Sequence, residues 1–199
     1  MGDVTVDACP FDVGQVQKII FQRKYSSGST RNVMTVTNAA SLATWTALLT
    51  ATGNTKVQIS PFVNGPTFEP GDSIEFGSGN EVVDGIPLSV GTDPTAFSAN
   101  LFRISSASKE SLVALEGEDL AVYFVDEHGR IWGETDSNTS PVNLYGIPVF
   151  SYHIGDRKIG GKVEPDVHVL KFKLPQRWDN KLKSITPSDF DALTGLSGS

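Results

Sequence analysis

Three histidines, His128, His153 and His168, are the side chains of this sequence suited to proton transfer near neutral pH. His128 falls in a turn sequence, Asp126-Glu-His-Gly129, where a solvated ring is the ordinary outcome. His153 and His168 fall on separate strand-like segments, with Asp156 and Asp166 close by in sequence. Two imidazoles and two carboxylates of this kind can hold a metal or do acid–base work if the fold gathers them. His153, His168 and Asp166 are therefore the metal candidates, set against the commoner use of such residues at strand ends. Carboxylate pairs occur at Asp126-Glu127, at Glu116, Glu118 and Asp119, and at Asp189 and Asp191. A glycosidase needs two carboxylates about 5–10 Å apart across a cleft, whereas neighbours in turns and caps serve solvation or a helix N-terminus. Trp132, Tyr145, Tyr152 and Trp178 would make a sugar platform if clustered, and core or interface anchors if not.

The remaining screens return nothing. The sequence has no GxxxxGK[ST] loop, no CxxC, no HExxH and no GxSxG. Gly77-Ser-Gly79-Asn-Glu81 lacks the third glycine of a dinucleotide fingerprint and reads as a turn. The single cysteine, Cys9, has no intramolecular partner and no neighbour that would activate a thiol. The sequence thus predicts no enzyme and no cofactor. Its opening, MGDVTVD, has neither a basic nor an apolar leader region, which predicts no secretory signal. No run approaches the ~20 apolar residues of a bilayer span, which predicts no membrane partner. With that, the Asn138-Thr-Ser140 sequon carries no meaning.

Elements that must position these residues follow from periodicity. The chain has 199 residues, 39% hydrophobic and 20% charged, enough for one core of ordinary size. Its 19 glycines and 11 prolines suit many turns. Residues 16–23 (VQKIIFQR) read as a strand, paired as a long hairpin with 32–37 (NVMTVT) around a polar tip at 24–31. Leu42, Trp45, Leu48 and Leu49 recur at helical spacing after Asn38 or Ser41 and before Gly53-Asn54. Residues 55–63 alternate as a strand. Residues 64–99, dense in Pro and Gly, read as a long loop insertion with short strands at 73–76 and 86–90. After a short strand at 101–105, Ser106 or Ser108 caps a second helix carrying Leu112, Val113 and Leu115. Residues 119–125 (DLAVYFV) form a continuous apolar run expected of a central strand. Residues 130–134 return from it as a hairpin, 146–154 form another strand, and 167–174 place His168, Leu170, Phe172 and Leu174 on one face.

The fold expected is mainly β, a sandwich or barrel with one or two short helices packed on it, long loops and extended termini. Residues 1–15 read as an N-terminal arm, 16–180 as a single domain and 181–199 as a C-terminal arm with a short helix begun at Thr186-Pro187. Such a small core cannot cover dispersed anchors such as Phe62 and Phe97. Phe11, Tyr25, Phe68, Phe76, Trp178 and Phe190 are the candidates for contacts between subunits. The net charge of −7 argues against non-specific duplex binding, which needs a basic face.

The segments VQKIIFQR (16–23), ASLATWTALL (40–49), GNEVVDGIPLSVG (79–91), LAVYFVDEHGRIWGE (120–134) and HVLKFKLPQRWDNKLKSITPSDFDAL (168–193), in this order and without catalytic signatures, resemble small structural proteins of tailed-bacteriophage virions. The type most resembled is the tail tube protein of long-tailed phages. That resemblance implies a protomer made in the host cytoplasm and located in the virion. It implies self-assembly into hexameric rings stacked as a tube, with a long loop and the terminal arms joining adjacent rings. Other virion proteins are then partners, and DNA passes through the lumen without specific binding. A head–tail connector ring or a capsid-decoration protein is the alternative within that class. A carbohydrate- or receptor-binding β-sandwich module is the alternative outside it.

Overall fold

A computed structural model describes residues 14–77, 88–136, 138–161 and 165–196. Phe11 and nearly all of the 1–15 arm lie outside the described residues. The fold is mainly β, and among the described residues eleven strands form one sheet that curls into a half-barrel, beside two separate two-stranded ribbons.

Strand β10 (Leu120–Asp126) organises the rest, and all seven of its residues are buried. Its apolar run leaves neither face polar, so something must cover both. On one edge it pairs antiparallel with β1 (Val16–Arg23), Ile19 opposite Phe124 and Arg23 opposite Leu120. Strand β5 (Val57–Ile59) follows on the far side of β1. Along β10 the side chains of Leu120, Val122 and Phe124 enter one apolar cluster and Tyr123 and Val125 enter another. The period-2 alternation of a strand thus serves two cores at once.

The other edge of β10 is shared. Near the turn it pairs with β11 (Ile131–Asp136), Phe124 opposite Trp132. At its start it pairs with β13 (Ile147–Ile154), Leu120 opposite Val149. The hairpin therefore forks, and β12 (Asn143–Tyr145) enters the fork beside β11 before the chain crosses to β10. Two glycines permit the crossing. A Cβ at Gly146 would stand 2.8 Å from the Cβ of Ala121, and one at Gly133 would stand 2.8 Å from the carbonyl oxygen of Tyr145. Strand β13 then bends at Ser151, whose φ of 54° is left-handed, and its second half pairs with β14 (Val167–Leu174). Strand β14 pairs in unbroken register with β9 (Thr95–Phe102), which pairs with β6 (Val63–Glu69).

The first core lies inside the curl and is rich in aromatics. Phe97 and Phe172 stack at 4.5 Å, and Phe68 and Trp178 stack at 5.5 Å. Each fully buried ring of this size contributes roughly 1.5–3 kcal/mol. The second core lies on the opposite face of β1 and β10. It is roofed by a short helix α1 (Val36–Ala39), by α2 (Leu42–Thr50) and by the C-terminal segment.

Several expectations are corrected. Residues 32–37 do not pair with 16–23. Only Met34–Thr35 (β4) form a strand, against β12, and Thr35 caps helix α1 instead. The hairpin at this point is the small ribbon β2 (Tyr25–Ser27) and β3 (Thr30–Arg31). Residues 64–99 are not one loop, since β6 and most of β9 lie within them. A bulge between Asn64 and Thr67 accommodates the Gly-Pro step that argued against a strand. Helix α3 (Ser106–Val113) is capped by Ser105, whose hydroxyl accepts from the Ser108 amide. Residues 181–196 are not a free arm. Strand β15 (Leu182–Ile185) pairs with β11, and a one-turn helix α4 (Ala192–Gly195) starts at Asp191 rather than Pro187.

Candidate assembly surface

The ribbon formed by β7 (Ser73–Phe76) and β8 (Leu88–Thr92) stands apart from the main sheet. In each strand apolar residues alternate with polar ones, as for a strand with one buried face. Phe76 lies opposite Leu88, and Glu75 opposite Ser89. Yet Ile74, Phe76, Leu88 and Val90 are 41, 65, 63 and 65% exposed. The hydroxyls of Ser73 and Ser89 meet at 2.9 Å, marking the polar side. The base of the ribbon is fixed to the body, for the Asp93 amide donates to Asp72 and the Gln176 side-chain amide donates to the Thr92 carbonyl. Exposed Glu69, Asp72, Glu75 and Asp93 give ribbon and base a negative charge.

A cleft of about 530 Å³ opens at the β2–β3 ribbon and is lined by Lys24, Arg31, Arg177 and Lys181 together with Tyr25 and Trp178. The Lys24 ammonium lies 5.0 Å from the Tyr25 ring centroid, and the Arg31 guanidinium 4.6 Å from that of Tyr145. Arg31 also donates to Glu134 at 2.8 Å and to the Gly146 carbonyl at 3.0 Å. The cleft is thus basic on a chain that is acidic as a whole.

Of the interface candidates, Phe76 stands in solvent and Tyr25 lines the cleft. Phe68 and Trp178 instead complete the first core, and half-buried Phe190 packs on the second. Phe97, expected to lack cover, is 1% exposed in the first core. The curl of the sheet supplies the walls that a flat sheet of this size would lack. Ile74, Leu88 and Val90 were not singled out from sequence. Their alternation with Ser73, Glu75 and Ser89 carried the signal, hidden by the surrounding Gly and Pro.

His168 and Asp166 line one cavity, and His153 and His168 both lie near enough to Asp156 to act on its charge, yet each side chain has its own partner. His153 is exposed, with Nδ1 3.0 Å from Glu116, while His168 is buried, with Nδ1 3.1 Å from the Gly155 carbonyl. Asp166 accepts from the Gly160 amide at 3.2 Å. Among the described residues no three His, Cys, Asp or Glu side chains gather as a metal site. The carboxylate pairs have structural work. Glu118 binds Arg23 through two contacts of 2.9 Å, and that guanidinium holds its carboxyl below the usual range. Asp156 is lowered likewise by its hydrogen bond to Lys109. Asp126 is fully buried and accepts from the amides of His128 and Arg130, from Arg130 Nε and from Trp132 Nε1. Asp189 accepts from Ser41 and from the Leu42 amide, capping α2 from the far end of the chain. Three of the supposed sugar aromatics, Trp132, Tyr152 and Trp178, belong to the first core instead. Trp132 is 4% exposed, Tyr152 meets Phe21 edge-on, and its hydroxyl donates to the Leu112 carbonyl. Burial pushes the Tyr152 and Tyr123 hydroxyls far above the ordinary tyrosine value.

No protein-family model and no curated protein matches this sequence. Among solved structures, the chain is similar to one from the tail of an empty gene transfer agent particle, refined with C6 symmetry. The two are 12% identical over 61% of this chain and 80% of that one, with a TM-score of 0.36. A chain from the virion of a native gene transfer agent particle is 10% identical over 65% and 89%, with a TM-score of 0.39. A chain from the six-fold symmetrised baseplate of the anti-feeding prophage is 10% identical over 94% and 99%, with a TM-score of 0.34.

Proposed function

We propose that this chain is a structural subunit of a phage-like tail, which assembles with copies of itself into rings of six stacked as a DNA-conducting tube. The observation that carries the reading is the β7–β8 ribbon, whose four apolar side chains face water on a body whose central strand β10 is buried throughout. An apolar strand pair of this kind finds cover in another chain. Opposite charge supports a head-to-tail contact, because the acidic ribbon of one copy suits the basic cleft of the next. Unlike surfaces on one protomer are what a ring or a tube requires, whereas a two-fold dimer uses one surface twice. The resemblance of the sequence to tail tube proteins supports the choice of particle. The net charge of −7 supports passage of DNA past a surface that does not hold it. In this reading the work is assembly, with no catalytic step and no cofactor.

The test is the state of the purified chain, measured by light scattering and negative-stain imaging across concentration. Rings or tubes are expected, and the double variant Phe76→Ser, Leu88→Ser is expected to remain monomeric with an unchanged melting temperature. A stable monomer at every concentration overturns the reading.

A further inference from the structure

The β7–β8 ribbon and the basic cleft are separate surfaces, yet one short segment of the chain touches both. Pro175, Gln176, Arg177 and Trp178 form part of the cleft wall. From that wall the Gln176 side-chain amide donates to the carbonyl of Thr92, the last residue of β8, which pairs with Ser73 across the ribbon. From the same wall Trp178 stacks on Phe68, the penultimate residue of β6, where the chain sets out towards the ribbon. Arg177 stands between them at a φ of 54°, which a non-glycine residue adopts only where its surroundings impose it.

The legs of the ribbon are stiff. Pro70 lies in one and Pro94 in the other, each with its φ fixed by the ring. The legs also cross in contact, since a Cβ on Gly71 would overlap the carbonyl oxygen of Asp93. At the same place the Asp93 amide donates to the Asp72 carbonyl at 2.8 Å. The two legs therefore move as one body, and Gln176 and Trp178 set its pose against the cleft.

A closed ring is sensitive to that pose. A head-to-tail contact closes only if its rotation divides the circle, and rings of five, six and seven differ by about 10° per subunit. The strand from Thr92 to Leu88 is about 13 Å long, so a tilt of about 10° moves its tip by about 2 Å. We propose, resting on the head-to-tail reading above, that Gln176 is a positioning residue for assembly. Through Thr92 it fixes the angle between the ribbon a copy offers and the cleft the same copy presents, and so the number of copies that close a ring. The Phe68–Trp178 stack holds that angle from the other leg.

Two one-surface copies isolate the contact from the angle. The ribbon variant Phe76→Ser, Leu88→Ser keeps its cleft, and the cleft variant Lys24→Glu, Lys181→Glu keeps its ribbon. Neither is expected to assemble alone, and their mixture is expected to form a one-to-one pair whose Kd calorimetry reads. Gln176→Met, close in size but without a donor, is added to the ribbon-supplying copy only, so the occupied cleft is unaltered. The Kd is expected to stay within about two-fold of its value without that change. In the otherwise unaltered chain, Gln176→Met is expected to replace rings of six by mixed ring orders and open filaments, counted by single-particle imaging. Gly71→Ala displaces the crossed legs and is expected to do the same. Uniform rings of six in both variants overturn the positioning role. A Kd weakened beyond that limit also overturns it, because Gln176 would then act on the contact itself. No pair from the two one-surface copies overturns the head-to-tail reading, and the positioning role with it.

Discussion

The ammonium of Lys18 lies 3.0 Å from the carbonyl oxygen of Leu196, and 2.6 Å from that of Leu193, so a side chain of β1 grips the C-terminal helix. The Phe62 ring covers it at 4.6 Å. Lys18→Met leaves two carbonyls without their donor and is expected to cost about 1–3 kcal/mol. Chemical denaturation measures the loss, and hydrogen exchange is expected to rise first in residues 182–196. Burial lowers the Lys18 pKa below 10.5, with Asp191 opposing it. The unfolded chain therefore binds more protons between that lowered value and 10.5. Stability from this group rises with pH across that window, and the slope vanishes in Lys18→Met.

Gly146→Ala is expected to destabilise by about 1–3 kcal/mol, because its Cβ meets Ala121 in a packed crossing. Gly133→Ala meets backbone at the same fork and is expected to do at least as much. Urea melts of the two variants check this. A loss under half a kcal/mol in both would show that the fork can spread.

Asp126→Ala is expected to cost about 2–4 kcal/mol, because four donors around a fully buried carboxylate lose their acceptor together. Asp126→Asn keeps the shape without the charge and is expected to lose less. Thermal melts of the pair separate geometry from charge.

Ser151→Gly relieves a left-handed backbone at the bend of β13 and is expected to be neutral or stabilising by up to about 1 kcal/mol. Ser151→Val is expected to destabilise, since a β-branched residue resists that φ. Denaturant midpoints read both directions.

How far these features were legible in sequence follows from the range of the contacts. Strands β1, β10 and β14, helix α2 and the Asp126 turn were readable because local alternation, helical spacing and turn chemistry agreed. The two-sided burial of β10 was readable from its unbroken apolar run. The fork was not, because Gly133 and Gly146 declare a close approach only once β12 is placed between β10 and β11. The C-terminal segment looked free because partners such as Lys18, Ala40, Ser41 and Leu42 lie 147 to 178 residues away. Phe68 and Trp178 looked exposed because each completes its cover with the other. The ribbon was half legible, for Phe76 stands out as an aromatic among Gly and polar residues, whereas Ile74, Leu88 and Val90 do not.

Strand β10 carries both cores on one backbone, and its two edges are occupied by β1 on one side and by β11 and β13 on the other. Neither core can melt while the other persists, for loosening either face frees the strand on which the second depends. The two halves should therefore share a single calorimetric transition, and the amides of residues 121–125 should exchange only when the whole molecule opens. A load entering through β1 would meet this strand next, because the two pair along nearly their whole length.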